Sequence, residues 1–400
     1  MKINIRQVIF TILILSIFYL SYLSQKSIIV NRIKDLERIN FIILGTDFVD
    51  NAVHSDTILL ISYSTKHKIF DIISIPRDSY IDFADTRFKK LTEVYAYLYK
   101  HNRKDKHLAS KKFVELIEQK IFVSEGLNFS IPYYIVINYE GFKKLIDTIG
   151  KIKIYVTEPM HYDDNAGNLH IHFDVGEYLM DGESALKFVR YRDSRGDIGR
   201  IARQQQFFNS VMRKLMSPKV VIRIPSILLN VRESIYTNIT FWEMINLLIE
   251  FRNIKTTGFR FSYVHGKPKG RYWEIDKSYI NNLVQYLNSD DKQIKNINKR
   301  IKIFNASNVP KLATRVTKYL RSIGYDVLDW GNWTTILPQS KIIDYSGDEN
   351  LVSTISNLLN IDDVTTYYKS NDYLAEAEDL IIILGNDFDN KTIAGPMSEF

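Results

Sequence analysis

Between Phe41 and Val156, short apolar runs of strand length alternate with stretches of helical spacing, and this alternation most limits what the chain can fold into. Phe41–Leu44, Thr57–Tyr63 and Ile69–Ile75 read as strands, the last two joined by a short polar turn into a hairpin. Phe113–Ile121 has helical spacing, Ile131–Asn138 returns as a strand, and Tyr139–Ile149 reads as a helix stopped by Gly150 before a strand at Ile152–Val156. Such an order predicts an α/β fold with a mixed central sheet flanked by helices. Two longer helices follow, at Gly199–Met216, ending before Pro218, and at Phe241–Phe251.

The polar stretch Asn288–Arg300 predicts a linker. Beyond it, strand Ile301–Phe304, helix Lys311–Ile323, strand Tyr325–Leu328, helix Asn350–Leu359 and strand Leu380–Leu384 predict a second, smaller α/β domain over residues 299–390. The 16 uncharged residues from Val8 to Leu23, with Lys2 and Arg6 before them, are slightly short of the ~20 expected of a spanning helix, but Tyr19, Tyr22 and Gln25 extend them to the headgroups. No small-residue cleavage site follows. The expected organisation is therefore a transmembrane anchor over residues 1–26, a stalk over 27–40, a main domain over 41–290 and the second domain.

With 400 residues and 45% hydrophobic content the chain is long and apolar enough for sizeable cores, which excludes a disordered chain. It has no cysteine, which excludes disulfides, thiolate metal sites and a cysteine nucleophile. The formal charge of +7 is uneven: residues 301–400 hold 8 Lys and Arg against 14 Asp and Glu, so the excess positive charge lies on the first 300 residues. That part should face an anionic substrate, anionic lipid or nucleic acid.

Two stretches carry chemistry. Gly45-Thr46-Asp47 with His54-Ser55-Asp56-Thr57 offers carboxylates at strand ends, where open α/β sheets bind ligands. VRYRDSRGDIGRIARQQQ, from Val189 to Gln206, packs five arginines into eighteen residues. So many fixed cations repel one another unless an anion lies between them, and guanidinium forks match phosphate oxygens. Carboxylates together with arginines suggest a divalent metal bridged to a phosphate, because Mg²⁺ takes a few carboxylates and fills its shell with phosphate oxygens and water. The bland readings are turn carboxylates for Asp47 and Asp56, a surface pair with Asp78 or Asp82 for Arg77, a helix cap for Asp197 and a solvated helix face for Arg200, Arg203 and Gln204. Arg190 and Arg192 share a face if their segment is extended. His170-Ile171-His172 share a strand face and read as structural.

FIILGTD, Ser55-Asp56-Thr57, SIPRDSYI from Ser74, YYIVINYEGFKKLIDTIG from Tyr133 and the arginine block before Gln204-Gln205-Gln206 resemble the LytR-CpsA-Psr family, in order and spacing, over roughly residues 40 to 290. IKIFNAS from Ile301 and DLIIILGNDF from Asp379 resemble a C-terminal domain often fused to it. The resemblance implies an extracytoplasmic phosphotransferase, anchored once in the cell membrane, that moves a glycopolymer from an undecaprenyl-diphosphate carrier to peptidoglycan or another wall acceptor. It implies Mg²⁺, or Mn²⁺, on Asp47 and Asp56, and a phosphate pocket lined by Arg77, Arg190, Arg192, Arg200 and Gln204, with Asp197 among them and Arg203 nearby. A polyprenyl tail would lie between sheet and helices. His54 stands where the family usually has arginine. Two other classes remain open: a membrane-bound regulator, which the basic half permits if it binds nucleic acid, and a wall-binding scaffold that keeps the fold without turnover. With a membrane anchor in place, no nucleic-acid partner is expected.

Overall fold

In a computed structural model, the structure describes residues 27–389 apart from 36, 50–51, 84–86, 103, 124–127, 157, 166–168, 192–196, 216, 218–219, 221–222, 232–233, 252–258, 290–299, 323–324 and 368–378. The main domain is organised on a six-stranded sheet of order β10-β3-β2-β1-β4-β9. Its strands are β1 (Arg38–Val49), β2 (Ala52–Ser64), β3 (Ile69–Ser74), β4 (Tyr133–Asn138), β9 (Ile235–Thr237) and β10 (Phe259–Tyr263). Between β4 and β9 come two hairpin-like pairs, β5 (Ile152–Val156) with β8 (Gly176–Met180) and β6 (Met160–Asp164) with β7 (Leu169–Phe173). A small ribbon of β11 (Gly266–Lys269) and β12 (Tyr272–Ile275) follows the sheet's last strand.

The sheet is mixed, as the alternation predicts. β1 runs antiparallel to β2 and parallel to β4, β2 is antiparallel to β3, and β10 is parallel to β3. Both faces are covered, which is why these strands read as nearly unbroken apolar runs. Ile42, Leu44, Ile58 and Leu60 pack under helices Leu91–His101, Lys106–Ile117 and Lys277–Ser289. Phe41, Ile61, Tyr63 and Phe70 face the other way, onto Ile29, Leu247 and Phe251.

Helix Tyr139–Ile149 leaves the end of β4. The Asn138 side chain caps it by accepting from the Gly141 amide at 2.8 Å, and it stops at Gly150, whose φ of +94° suits a residue without a Cβ. Helix Gly182–Arg190 lies against it so closely that a Cβ on Gly182 would stand 2.3 Å from the Lys143 carbonyl oxygen. Asp181 caps this second helix by accepting from Ser184, and that bond holds its carboxyl below the usual range.

Residues 27–40 are no bare stalk. Ile28–Lys34 form a helix whose Ile29 is fully buried against the helix Phe241–Phe251, and the chain enters β1 at Arg38. Ile29 and Val30 supply the apolar surface that docks, and the buried Ser27 hydroxyl donates to Glu243 at 3.0 Å. The expected anchor at Val8–Leu23 lies outside the described residues; among the described residues no helix is long and apolar enough to cross a membrane.

After helix Lys277–Ser289, most of the expected linker lies outside the described residues. The second domain is a five-stranded sheet of order β14-β13-β17-β15-β16, formed by β13 (Arg300–Asn305), β14 (Asp326–Asn332), β15 (Lys341–Asp344), β16 (Val364–Thr366) and β17 (Leu380–Leu384). Helices Leu312–Ser322 and Glu349–Leu359 close its core. Tyr263 on β10 ties the main sheet to a helix of the second domain: its hydroxyl accepts from Arg321 at 2.6 Å.

A buried ion pair crosses the main sheet. Arg38 on β1 donates to Asp71 on β3 at 2.7 Å, with side chains 8% and 4% exposed, and the Tyr286 hydroxyl donates to both Asp71 oxygens at 3.1 and 3.2 Å. Removing one partner strands the other charge without water. Asp71→Ala is therefore expected to destabilise the protein by about 3–5 kcal/mol in a urea titration, and an effect under about 1 kcal/mol, the scale of an exposed pair, would show the pair to be dispensable.

Candidate functional site

Strand direction gathers the site. β1, β3 and β4 run the same way, so their carboxyl ends, and the amino end of the antiparallel β2, meet at one edge of the sheet. Asp47 stands at this edge of β1, directly across from His54 on β2. Residues opposite each other on an antiparallel pair share a face, so His54 lies beside Asp47. Next to them the register slips: Gly45 pairs with Thr57 but Thr46 pairs with Ser55, which leaves Asp56 as the extra residue of a β-bulge. Bulges re-aim side chains. Gly45 is needed here because a Cβ would meet the Thr57 Cβ at 3.0 Å.

Arg77 follows β3 and forms an ion pair with Asp56. The surface pairs considered for it do not form, since Asp78 is taken by Lys90 at 2.7 Å and Asp82 by Lys89 at 2.9 Å. From β4, Tyr139 enters the same edge as the first residue of its helix. Burial pushes its hydroxyl up to about 12, with Arg190 pulling the other way and Asp47 and Asp56 adding to the rise; the hydroxyl is hydrogen-bonded to Asp47. The phenol therefore stays protonated at any working pH and donates to the carboxylate. Arg190, the last residue of its helix, lies with its guanidinium carbon 4.6 Å from the Tyr139 ring centroid. A cation is favoured there by the aromatic face and by the helix's carboxyl end.

Asp47, Asp56, Arg77 and Arg190 are thus brought together, with His54 beside them. Arg190 ends a helix, so the extended segment considered for it and Arg192 begins only after it. Arg192 lies outside the described residues. Asp197 and Arg200 open helix Asp197–Leu215, two residues earlier than the apolar spacing suggests, but their side chains also lie outside the description. Gln204, on the same helix, is half-buried. Arg203 is 8% exposed and donates to the Tyr191 carbonyl at 2.7 Å, so it holds the chain just after Arg190. Lys66 sits in the turn after β2, roughly 30 Å of strand away from Asp56. It cannot supply the charge that His54 lacks relative to an arginine.

Tyr139 is the residue that sequence reasoning missed. The rule that singled out Asp47, a polar residue at the carboxyl end of a strand, applies equally to β4, whose last residue is Asn138.

The carboxylates suit a hard divalent ion, because both stand within the influence of one hydroxyl and supply oxygen ligands only. Among the described residues no group of three or more His, Asp or Glu side chains could hold a metal, so those residues offer an ion here two ligands, with water and substrate to fill further positions. Two open cavities lie away from this edge. One of about 600 Å³, lined by Arg32, Arg38, Asn40, Phe129 and Leu287, opens at the amino end of β1. Another of about 530 Å³ lies along the outer side of helix Tyr139–Ile149.

Residues 298–388 match the model described as LytR cell envelope-related transcriptional attenuator. Over 233 residues the chain is 29% identical to the polyisoprenyl-teichoic acid–peptidoglycan teichoic acid transferase TagV of Bacillus subtilis (strain 168), a match covering 56% of each chain. It is 29% identical over 230 residues to the TagU transferase of the same name from Oceanobacillus iheyensis, covering 56% of this chain and 67% of that one. The crystal structure of B. subtilis TagV superposes with a TM-score of 0.50 at 21% identity, over 64% of this chain and 97% of that one. A Streptococcus agalactiae protein, gbs0355, superposes with a TM-score of 0.51 at 18% identity, over 66% and 90%. These likenesses support the main-domain fold. The family model described as LytR_cpsA_psr matches residues 21–303, well over half of the sequence, and the chain belongs to that family.

Proposed function

We propose that the chain is a membrane-anchored phosphotransferase that moves a glycopolymer from a polyprenyl-diphosphate carrier to a cell-wall acceptor outside the membrane. The observation that carries this reading is the meeting of two carboxylates and two guanidinium groups around one protonated tyrosine at the carboxyl edge of the sheet. The relatives named as teichoic acid–peptidoglycan transferases support a teichoic-acid-like polymer and a peptidoglycan acceptor.

In this reading Arg77 and Arg190 grip the diphosphate oxygens, with Arg192, Arg200 and Gln204 completing the pocket and His54 flanking it. The acceptor's hydroxyl oxygen forms a bond to the glycan's phosphorus, and the bond to the bridging oxygen breaks with its electron pair leaving on the lipid phosphate. The arginines offset the charge that gathers on that leaving phosphate. Asp47 or Asp56 takes the hydroxyl proton, and Tyr139 fixes the carboxylate that accepts its hydrogen bond. Mg²⁺ or Mn²⁺ held by Asp47 and Asp56 would neutralise the diphosphate. Arg77 would exchange its contact with Asp56 for one with the phosphate, the half-buried guanidinium keeping an anionic partner throughout.

Arg77→Ala and Arg190→Ala are each expected to lower kcat/KM for a prenyl-diphosphate-linked glycan by about 10²–10³, with thermal midpoints close to the parent's. A drop in midpoint that accounts for the lost activity would make the arginines structural. Chelation should abolish transfer, Mg²⁺ or Mn²⁺ should restore it, and Asp47→Asn should need far more metal; full turnover in excess chelator would remove the ion from the reaction. Tyr139→Phe should remove one tyrosine titrating near pH 12 from the ultraviolet tyrosinate curve. It should also lower activity with an unchanged profile below pH 10, since the lost hydroxyl is uncharged throughout that range. A tyrosine lost from the titration below pH 10 would contradict its placement beside the carboxylates.

A further inference from the structure

The β6–β7 hairpin carries a polar cluster that phosphotransfer does not use. Its inner face is buried through Met160, Ile171 and Phe173. On the outer face His161 stands opposite His172, and Asp163 stands opposite His170. These side chains are exposed, so the histidines are not core residues: His161 and His172 are each 54% exposed.

The contacts have a definite sense. The Nε2 of His161 lies 3.3 Å from Asp174 Oδ1, and the Nε2 of His172 lies 3.1 Å from Asp163 Oδ1. Carboxylates only accept, so the Nε2 of His172 carries hydrogen in its bond to Asp163. In neutral imidazole this leaves the lone pair of His172 on Nδ1, which faces the Nδ1 of His161 at 3.4 Å. Two ring nitrogens held face to face in this way can share either a proton or a metal ion. A separation of 3.4 Å is also the edge of a tetrahedron whose centre lies about 2.1 Å from each corner, the length of a Zn–N bond. A carboxylate on the far nitrogen is the outer partner that metal-bound histidine usually has. His170 adds to this, since its Nδ1 lies 2.6 Å from Asp163 Oδ1 and steadies that carboxylate.

We propose that His161 and His172 form a site for one divalent transition-metal ion, with Zn²⁺ as the ion whose bond length fits, oriented by Asp163 and Asp174. Imidazole ligands distinguish it from the oxygen-only pair Asp47 and Asp56. The site has two protein ligands, and its remaining positions take water or a donor from another molecule. The ion clamps β6 to β7 at their outer face.

The test is calorimetric titration of the full chain in detergent with Zn²⁺, in excess Mg²⁺ to fill carboxylate sites. The wild type should bind one Zn²⁺ that His161→Ala and His172→Ala each lose and that His67→Ala keeps. Asp163→Ala should weaken binding by roughly tenfold to a hundredfold. Zn²⁺ should raise the thermal midpoint of wild type but not of the two histidine variants, whose metal-free midpoints should equal the parent's. Identical isotherms for wild type and the double variant His161→Ala/His172→Ala would overturn the proposal and leave a shared proton between the rings. A Zn²⁺ site that survives the double variant but is lost in Asp47→Asn would overturn it equally.

Discussion

The common direction of β1, β3 and β4 is the constraint on which the rest depends. Parallel pairing puts Thr46 beside Asn138, so the next residues, Asp47 and Tyr139, leave their strands at the same edge. The antiparallel β2 returns to that edge with His54 and Asp56, and β3 ends there just before Arg77. No loop has to travel to assemble the cluster. Such an edge is where open α/β sheets place ligands, because strand ends leave backbone groups and side chains free to face a common point.

The packing that secures the edge is tighter than the contacts at the edge itself. Away from the site, Arg38, Asp71 and Tyr286 form a buried network across β1, β3 and the helix Lys277–Ser289. Gly182 lets a second helix press onto Lys143, which fixes where Arg190 emerges relative to Tyr139. By contrast, the Arg77–Asp56 pair is only half-buried, well short of the burial of Arg38 and Asp71. A half-buried pair over a rigid base suits the exchange of partners that the proposed anionic substrate would require. The positive excess on the first 300 residues points the same way, while the second domain is acidic.

Much of this was legible in the sequence, for reasons that can be traced to particular residues. β1, β2 and β3 are visible because both their faces are buried, which removes polar interruptions. The helix Tyr139–Ile149 is visible because Asn138 caps it and Gly150 stops it. β6 and β7 are hidden because their outer faces are polar and each has only five residues, and β16 is shorter still. The helix Gly182–Arg190 is obscured by the arginine block that begins within it. Of the site, Asp47, Asp56, Arg77 and Arg190 could be named in advance, whereas Tyr139 passed as an ordinary aromatic. Its role comes from a long-range pairing, β1 with β4, that local patterning does not contain. The stalk was misjudged because the apolar residues of 27–40 are scattered among polar ones, and the burial of Ile29 depends on a helix more than two hundred positions away.

The central claim is that the carboxyl edge of the main sheet is where a diphosphate binds. A crystal structure of the protein with Mg²⁺ and a short prenyl diphosphate tests it most directly. The expected result has the diphosphate between Arg77 and Arg190, a metal ion on Asp47 and Asp56, and Arg77 released from Asp56. A diphosphate bound instead at the other end of the sheet, in the cavity lined by Arg32 and Arg38, with the edge unchanged, would contradict it.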